Sequence, residues 1–137
     1  MSSSQIVPQQ DEELRTIAMP ADTNVYGDIF GGWLLAQMDL AAGSYAMQRA
    51  RGRVATVGIE AMSFHLPVYV GDQVSCFCRT VRVGSTSIAV HVETWARRRQ
   101  EDEDIHAVKV TEGTFTFVAL NPDGSKRTVP RDEGDHD

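Results

Sequence analysis

The chain has 137 residues, 42% of them hydrophobic and 23% charged, with a formal net charge of -6. That length suits one domain with a modest core, and the acidic balance argues against broad binding to nucleic acid or anionic membranes, because phosphate contacts need a surplus of Lys and Arg. No run approaches the roughly 20 apolar residues of a membrane span, since the most apolar segment is interrupted by Gln37, Asp39, Ser44 and Gln48.

The amino end, Met1 to Gln10, lacks the basic start and apolar centre of a secretory signal and reads as a flexible tail. Leu14 to Met19 then reads as a short strand, and Pro20 to Gly32 holds the turn formers of an ordered loop. A long helix follows with apolar or small residues on nearly every face, among them Trp33, Leu34, Met38, Leu40, Tyr45 and Met47. That is the pattern of a helix covered on all sides. Arg51-Gly-Arg53 closes it. Val54 to Leu66 has the β-branched content of a strand, with Val57, Ile59, Ala61 and Ser63 on one side. Pro67 and the Val70-Gly-Asp72 turn end that strand, and Gln73 to Val83 is the third.

Gly84-Ser-Thr-Ser87 is a tight connection to a fourth strand, Ile88 to Arg98. The opposite charges from Arg97 to Asp104 mark a solvated hairpin tip before a long last strand, Ile105 to Leu120. The predicted organisation is a tail at 1–10, one domain at 11–124 and a polar tail at 125–137. One helix and five strands joined by short turns give an α+β fold, an antiparallel five-stranded sheet wrapped around one long central helix.

Cys76 and Cys78 lie two apart in a strand and share a face, a spacing ill suited to a disulfide and without a second ligand pair for zinc. They read as reduced packing residues, which points to the cytoplasm. His65, His91 and His106 fall in predicted strands with no nucleophile identifiable beside them, and no Gly-x-Ser-x-Gly turn exists. The chemistry concentrates elsewhere. Between Asp28 and Arg49 the only charged residue is Asp39, set in the apolar helix. An ionised carboxylate there costs several kcal/mol unless it is hydrogen-bonded, so Asp39 is either a satisfied structural group at a wet rim or an acid or base aimed at a substrate.

The motifs Ala18-Met-Pro-Ala-Asp-Thr-Asn24, Gly27-Asp-Ile-Phe-Gly-Gly-Trp33, Gln37-Met-Asp39, Val70-Gly-Asp72 and Gly84-Ser-Thr-Ser87 occur in this order and spacing. In them the chain resembles the acyl-CoA thioesterases of the hotdog superfamily, and among these the YciA-like short-chain group, from about Leu14 to Pro130. The resemblance implies a hotdog fold and hydrolysis of acyl-CoA to free acid and coenzyme A. It makes Asp39 the general base or nucleophile, Asn24 the residue that orients thioester or water, and Gly31 the backbone donor to the thioester oxygen, with Gly32 beside it. A helix start, with unpaired N–H groups and a positive dipole end, suits a developing oxyanion.

The resemblance also places coenzyme A along Thr56, Val57, Ile59 and Phe64 and along Arg82, Val83, Gly84, Ser85, Thr86 and Ser87. It implies no metal and no cofactor beyond the coenzyme A of the substrate. The chain departs from the group at Tyr26, where Asn is usual, and Asp28 and Phe30 stand where related eukaryotic-type enzymes carry Asn and His. Should Arg82 not serve the nucleotide, Lys126, Arg127 and Arg131 near the carboxyl end are the alternative basic region.

Gly31 and Asp39 are eight residues apart, so on one helix they stand about 12 Å apart along its axis, too far to touch one thioester carbon. The site is therefore expected to need two chains, Gly31 of one facing Asp39 of the other. The resemblance agrees, since such proteins pair sheets edge to edge as dimers, and YciA-like members gather three dimers into a hexamer. Two alternatives carry different chemistry: a non-catalytic acyl-CoA sensor or scaffold, and a hotdog hydratase or dehydratase, which would need a His paired with a carboxylate.

Overall fold

A computed structural model describes residues 6–99 and 105–132. The strands are β1 (Leu14–Ile17), β2 (Val54–Phe64), β3 (Gln73–Val83), β4 (Ser87–Arg99) and β5 (Ile105–Ala119), and the helix α1 spans Gly31–Ala50. The five strands form one sheet in the order β1-β3-β4-β5-β2, antiparallel throughout. α1 lies against one face and touches every strand. This is the predicted hotdog arrangement.

α1 sits close to the sheet because its inward residues are small. Met38, Ala41, Ala42, Ala46 and Ala50 are buried against Cys76, Cys78, Val90, Val92, Phe115 and Phe117, and burying each large apolar side chain contributes about 1.5–3 kcal/mol. A second cluster beneath the helix start joins Leu34 to Ile29, Val68, Val74, Ala96 and Val110. The helix ends at Arg51, in the left-handed conformation (φ 56°, ψ 44°), where Arg51 N donates to Gln48 O and Gly52 N to Met47 O. Those two bonds satisfy two of the last four carbonyls.

The helix is covered on its sheet side only. Leu40 is 61% and Met47 49% exposed, so the all-round apolar pattern is not explained within one chain.

The edge strand β2 departs from simple alternation. Its pairing with β5 shifts between Thr56 and Gly58 and again between Glu60 and Ser63. At the second shift Ala61 has φ 53°, a conformation unfavourable for a residue with a Cβ and common at bulges. Thr111 Oγ1 donates to Ser63 O at 2.6 Å and holds the displaced strand. β1 is shorter than predicted, because Ala18 leaves the ladder to exchange bonds with the Val70–Asp72 turn: Ala18 N donates to Asp72 O and Gly71 N to Ala18 O.

The segment predicted as a polar tail from Ser125 packs back on the domain as far as Asp132. Val129 is fully buried in the main core, its N–H donates to Ser85 O, and Arg49 Nη1 donates to Pro130 O at 2.7 Å. One apolar residue supplies the anchor that the surrounding polar composition hides. At the other end Gln10 Nε2 donates to Cys78 O. The β4–β5 ladder runs to Arg99 opposite Ile105, and the charged tip at 100–104 lies outside the described residues.

Both cysteines are free and buried. Burial pushes the Cys76 thiol up to about 11, partly offset by its hydrogen bond with Thr94, and burial raises Cys78 further. Such thiols are packing groups rather than nucleophiles. His65 and His91 both bond to Glu112, at 2.9 and 3.2 Å. Burial alone would raise the Glu112 carboxyl; the bonds from the two imidazoles and the nearby Lys109 ammonium outweigh it and hold it below its usual value.

Candidate active site

The loop before α1 is organised by Asn24. Its Oδ1 accepts from Tyr26 N at 2.8 Å and Asp28 N at 3.2 Å, and its own N–H donates to Asp28 O. Asp28 supports the loop through its backbone, and Tyr26 points its ring into solvent. With Oδ1 committed, the group Asn24 retains for a ligand is the Nδ2 amide, a pure donor.

The loop delivers the chain to an unusual helix start. The residue preceding α1 is Phe30, which has no capping side chain, and no acidic residue lies in the first turn. Trp33 N is taken by Phe30 O. The N–H groups of Gly31 and Gly32 have no partner among the described residues. Four orphan donors normally find a cap, so this end is left open to an anionic or carbonyl oxygen. The Phe64 ring lies across Gly31: a Cβ built there would stand 3.3 Å from Phe64 Cε1. Gly31, Leu34, Phe64 and His65 line a crevice of about 260 Å³.

Asp39 faces a different opening. Thr56 Oγ1 donates to Asp39 Oδ1 at 2.7 Å, while Oδ2 has no partner among the described residues. Asp39 and Thr56 stand at one end of a groove of about 700 Å³ whose wall includes Leu40, Gly43, Met47, Val54 and Phe117. Asp39 lines this groove and Gly31 the other crevice, and neither opening is lined by both.

The Arg82 to Ser87 turn belongs to neither opening. Gly84 N donates to Ser87 O, Thr86 O accepts from Ala119 N, and Arg131 Nη2 donates to Gly84 O at 3.3 Å. Arg82 Nη1 folds back over the same glycine, 3.3 Å from the position of a Cβ. The two basic regions proposed from sequence thus meet at one turn through Arg131. Arg127 is committed to backbone, its Nε to Leu120 O and its Nη2 to Arg53 O. Val83 departs from its predicted role: it is 2% exposed, its side chain turned into the core. Val57 and Ile59 are exposed on the free edge of β2.

Sequence reasoning missed the groove wall beyond Asp39. Its signal was the spacing of Asp39, Gly43 and Met47, four residues apart on one helix face. It also missed His65 beside Gly31. Among the described residues no cluster of three or more His, Cys, Asp or Glu could hold a metal ion, and no helix is long and apolar enough to cross a membrane.

A five-stranded antiparallel sheet around one long helix is the hotdog architecture, and the comparisons place it among thioesterases. Residues 26–103 match the thioesterase superfamily. The acyl-CoA thioester hydrolase YciA of Escherichia coli K12 is 47% identical over 130 residues, which cover 95% of this chain and 98% of that protein. The hexameric thioesterase y2039 from Yersinia pestis superposes with a TM-score of 0.85 at 42% identity, covering 91% of this chain and all of that one. This chain belongs to the thioesterase superfamily, among the YciA-like proteins.

A more distant structure, an acyl-CoA hydrolase from Staphylococcus aureus solved with butyryl coenzyme A, has a TM-score of 0.75 at 27% identity, covering 85% of this chain and 70% of that one. Variants of it replace an asparagine, an aspartate and a threonine by alanine. Those three positions are 15 and 17 residues apart, the spacing of Asn24, Asp39 and Thr56 here.

Proposed function

We propose that this protein hydrolyses acyl-CoA to a free carboxylic acid and coenzyme A, with Asp39 as general base or nucleophile. The observation that carries the reading is the Asp39 carboxylate, fixed through one oxygen by Thr56 and open at the other, on the wall of an apolar groove. As a base, Asp39 takes a proton from water while the water oxygen bonds to the thioester carbon. The carbonyl oxygen becomes an oxyanion received by the Gly31 N–H, with the Asn24 amide as a second donor. Collapse expels the coenzyme A thiolate and regenerates the carbonyl. As a nucleophile, Asp39 would form an acyl anhydride that water then cleaves.

The two openings are joined by pairing chains, Gly31 of one subunit meeting Asp39 of its partner. The exposed Leu40 and Met47 and the free edge of β2 support such a dimer, and hexameric relatives support its assembly in threes. His65 and Glu112 supply the imidazole and carboxylate that a hydratase would need. Glu112, however, lines neither opening and is held by His65, His91 and Lys109, and His65 is absent from the lining of the Asp39 groove.

The test is hydrolysis across acyl-CoA substrates, together with mixing of two inactive variants, Asp39→Ala and Gly31→Val. Subunit exchange should restore activity, because some mixed dimers regain one intact site. No recovery despite proven exchange would contradict the assignment of the two residues to opposite chains.

A further inference from the structure

α1 carries Gly43 near its middle, where glycine weakens a helix relative to alanine. Among the described residues nothing asks for it. A Cβ at Gly43 would meet Phe117 Cε2 at 3.7 Å, an ordinary contact, and the backbone there is helical. The missing side chain leaves open the middle of the groove that begins at Asp39 and runs past Gly43 to Met47. Leu40, Val54 and Phe117 make the walls apolar, and the carboxylate with its Thr56 partner stands at one end.

We propose that this groove takes the acyl chain and that Gly43 sets how long a chain it accepts. The inference rests on the thioesterase reading and adds its chain-length limit. From Asp39 to Met47 the helix rises about 12 Å, which accommodates an extended chain of roughly nine carbons, and Gly43 lies about 6 Å along, roughly the fifth carbon. The carbonyl carbon sits at Asp39. The tail then lies over Gly43 and ends by Met47, while the coenzyme A leaves on the side of the partner's helix start. Leu40 and Met47, open in one chain, become the rim that the second chain closes.

The test uses S-alkyl coenzyme A thioethers, which carry no cleavable thioester, so it reads binding whether or not the protein hydrolyses anything. Titration calorimetry should show affinity rising about fourfold per methylene, then levelling near nine carbons. Gly43→Leu should end the climb near five carbons, lowering the decyl-to-butyl affinity ratio by tenfold or more. Gly43→Ala, which relieves the helix cost and so stays folded, should end it one or two carbons early. Hydrolytic kcat/KM across chain lengths should follow the same breakpoints.

Affinity independent of chain length in the unaltered protein would overturn the proposal. So would a Gly43→Leu variant that weakens all chains equally, or one that changes sedimentation but not the length profile, since the groove would then be filled by the second subunit. Absence of hydrolysis with a normal thioether profile would instead sink the catalytic reading and leave the groove assignment standing.

Discussion

Two aspartates of this chain sit in equally recognisable motifs, Gln37-Met-Asp39 and Val70-Gly-Asp72, yet their surroundings are opposite. Asp72 is 2% exposed and full: Arg98 donates to both oxygens at 3.1 and 2.8 Å, and Tyr69 N donates to Oδ2 at 2.9 Å. The Arg98 guanidinium also lies over the Tyr69 ring, 4.7 Å from its centre. Asp39 is half-buried and, among the described residues, is bonded by Thr56 alone. A carboxylate that holds a fold uses both oxygens. The carboxylate proposed for the chemistry keeps one oxygen oriented and one available, and the same contrast separates the closed carboxyl end of α1 from its open start.

The comparison breaks first at Asp39. Asp39→Ala should lower kcat by about a hundredfold or more, the order expected for a positioned base, while thermal midpoint and oligomeric state stay close to those of the parent. Steady-state kinetics and a melting curve decide it, and parent-like turnover in a folded variant would remove Asp39 from the chemistry. Asp72→Ala should do the reverse. It strands a largely buried Arg98, so unfolding in urea should show a loss of about 3 kcal/mol or more, with kcat of the remaining folded enzyme little changed.

The contrast is sharpened at Thr56, the donor to Asp39 Oδ1. Thr56→Val removes the donor at nearly constant volume and should lower kcat about tenfold, with KM less affected, whereas Thr56→Ser should retain most activity. Equal effects of Val and Ser would mean that Thr56 acts through packing of β2 rather than by orienting the carboxylate.

The limits of β3, Gln73–Val83, were legible because turn formers stand at both ends, and the helix was legible because nothing interrupts its apolar run. Asp39 stood out by being alone. What escaped depends on partners distant in sequence. The Thr56 to Asp39 bond spans 17 residues. The bulge at Ala61 falls on a residue with no turn chemistry, and is held by Thr111 and by Met62, whose Sδ lies 2.6 Å from where a Cβ of Gly113 would stand. Val129 looked like part of a tail because burial of one apolar residue leaves no periodic trace. Gly43 passed unnoticed because sequence alone cannot say whether a glycine is required by its own chain.

The smallest effect is expected at the Arg82 turn. Arg82 is exposed, and its guanidinium and that of Arg131 each approach Gly84, and guanidinium groups suit phosphate oxygens. An exposed ionic contact is worth up to about 1 kcal/mol, so Arg82→Ala should raise KM for acyl-CoA about fivefold and leave kcat nearly unchanged. Because Arg131 remains at the same turn, the double variant with Arg131→Ala should exceed the sum of the single effects. An acyl-pantetheine thioester carries no nucleotide and should be indifferent to either change. If both substrates suffer equally, the turn acts through the fold: Arg131 would then matter for anchoring the segment that ends in the buried Val129, and the nucleotide would bind elsewhere on the assembly.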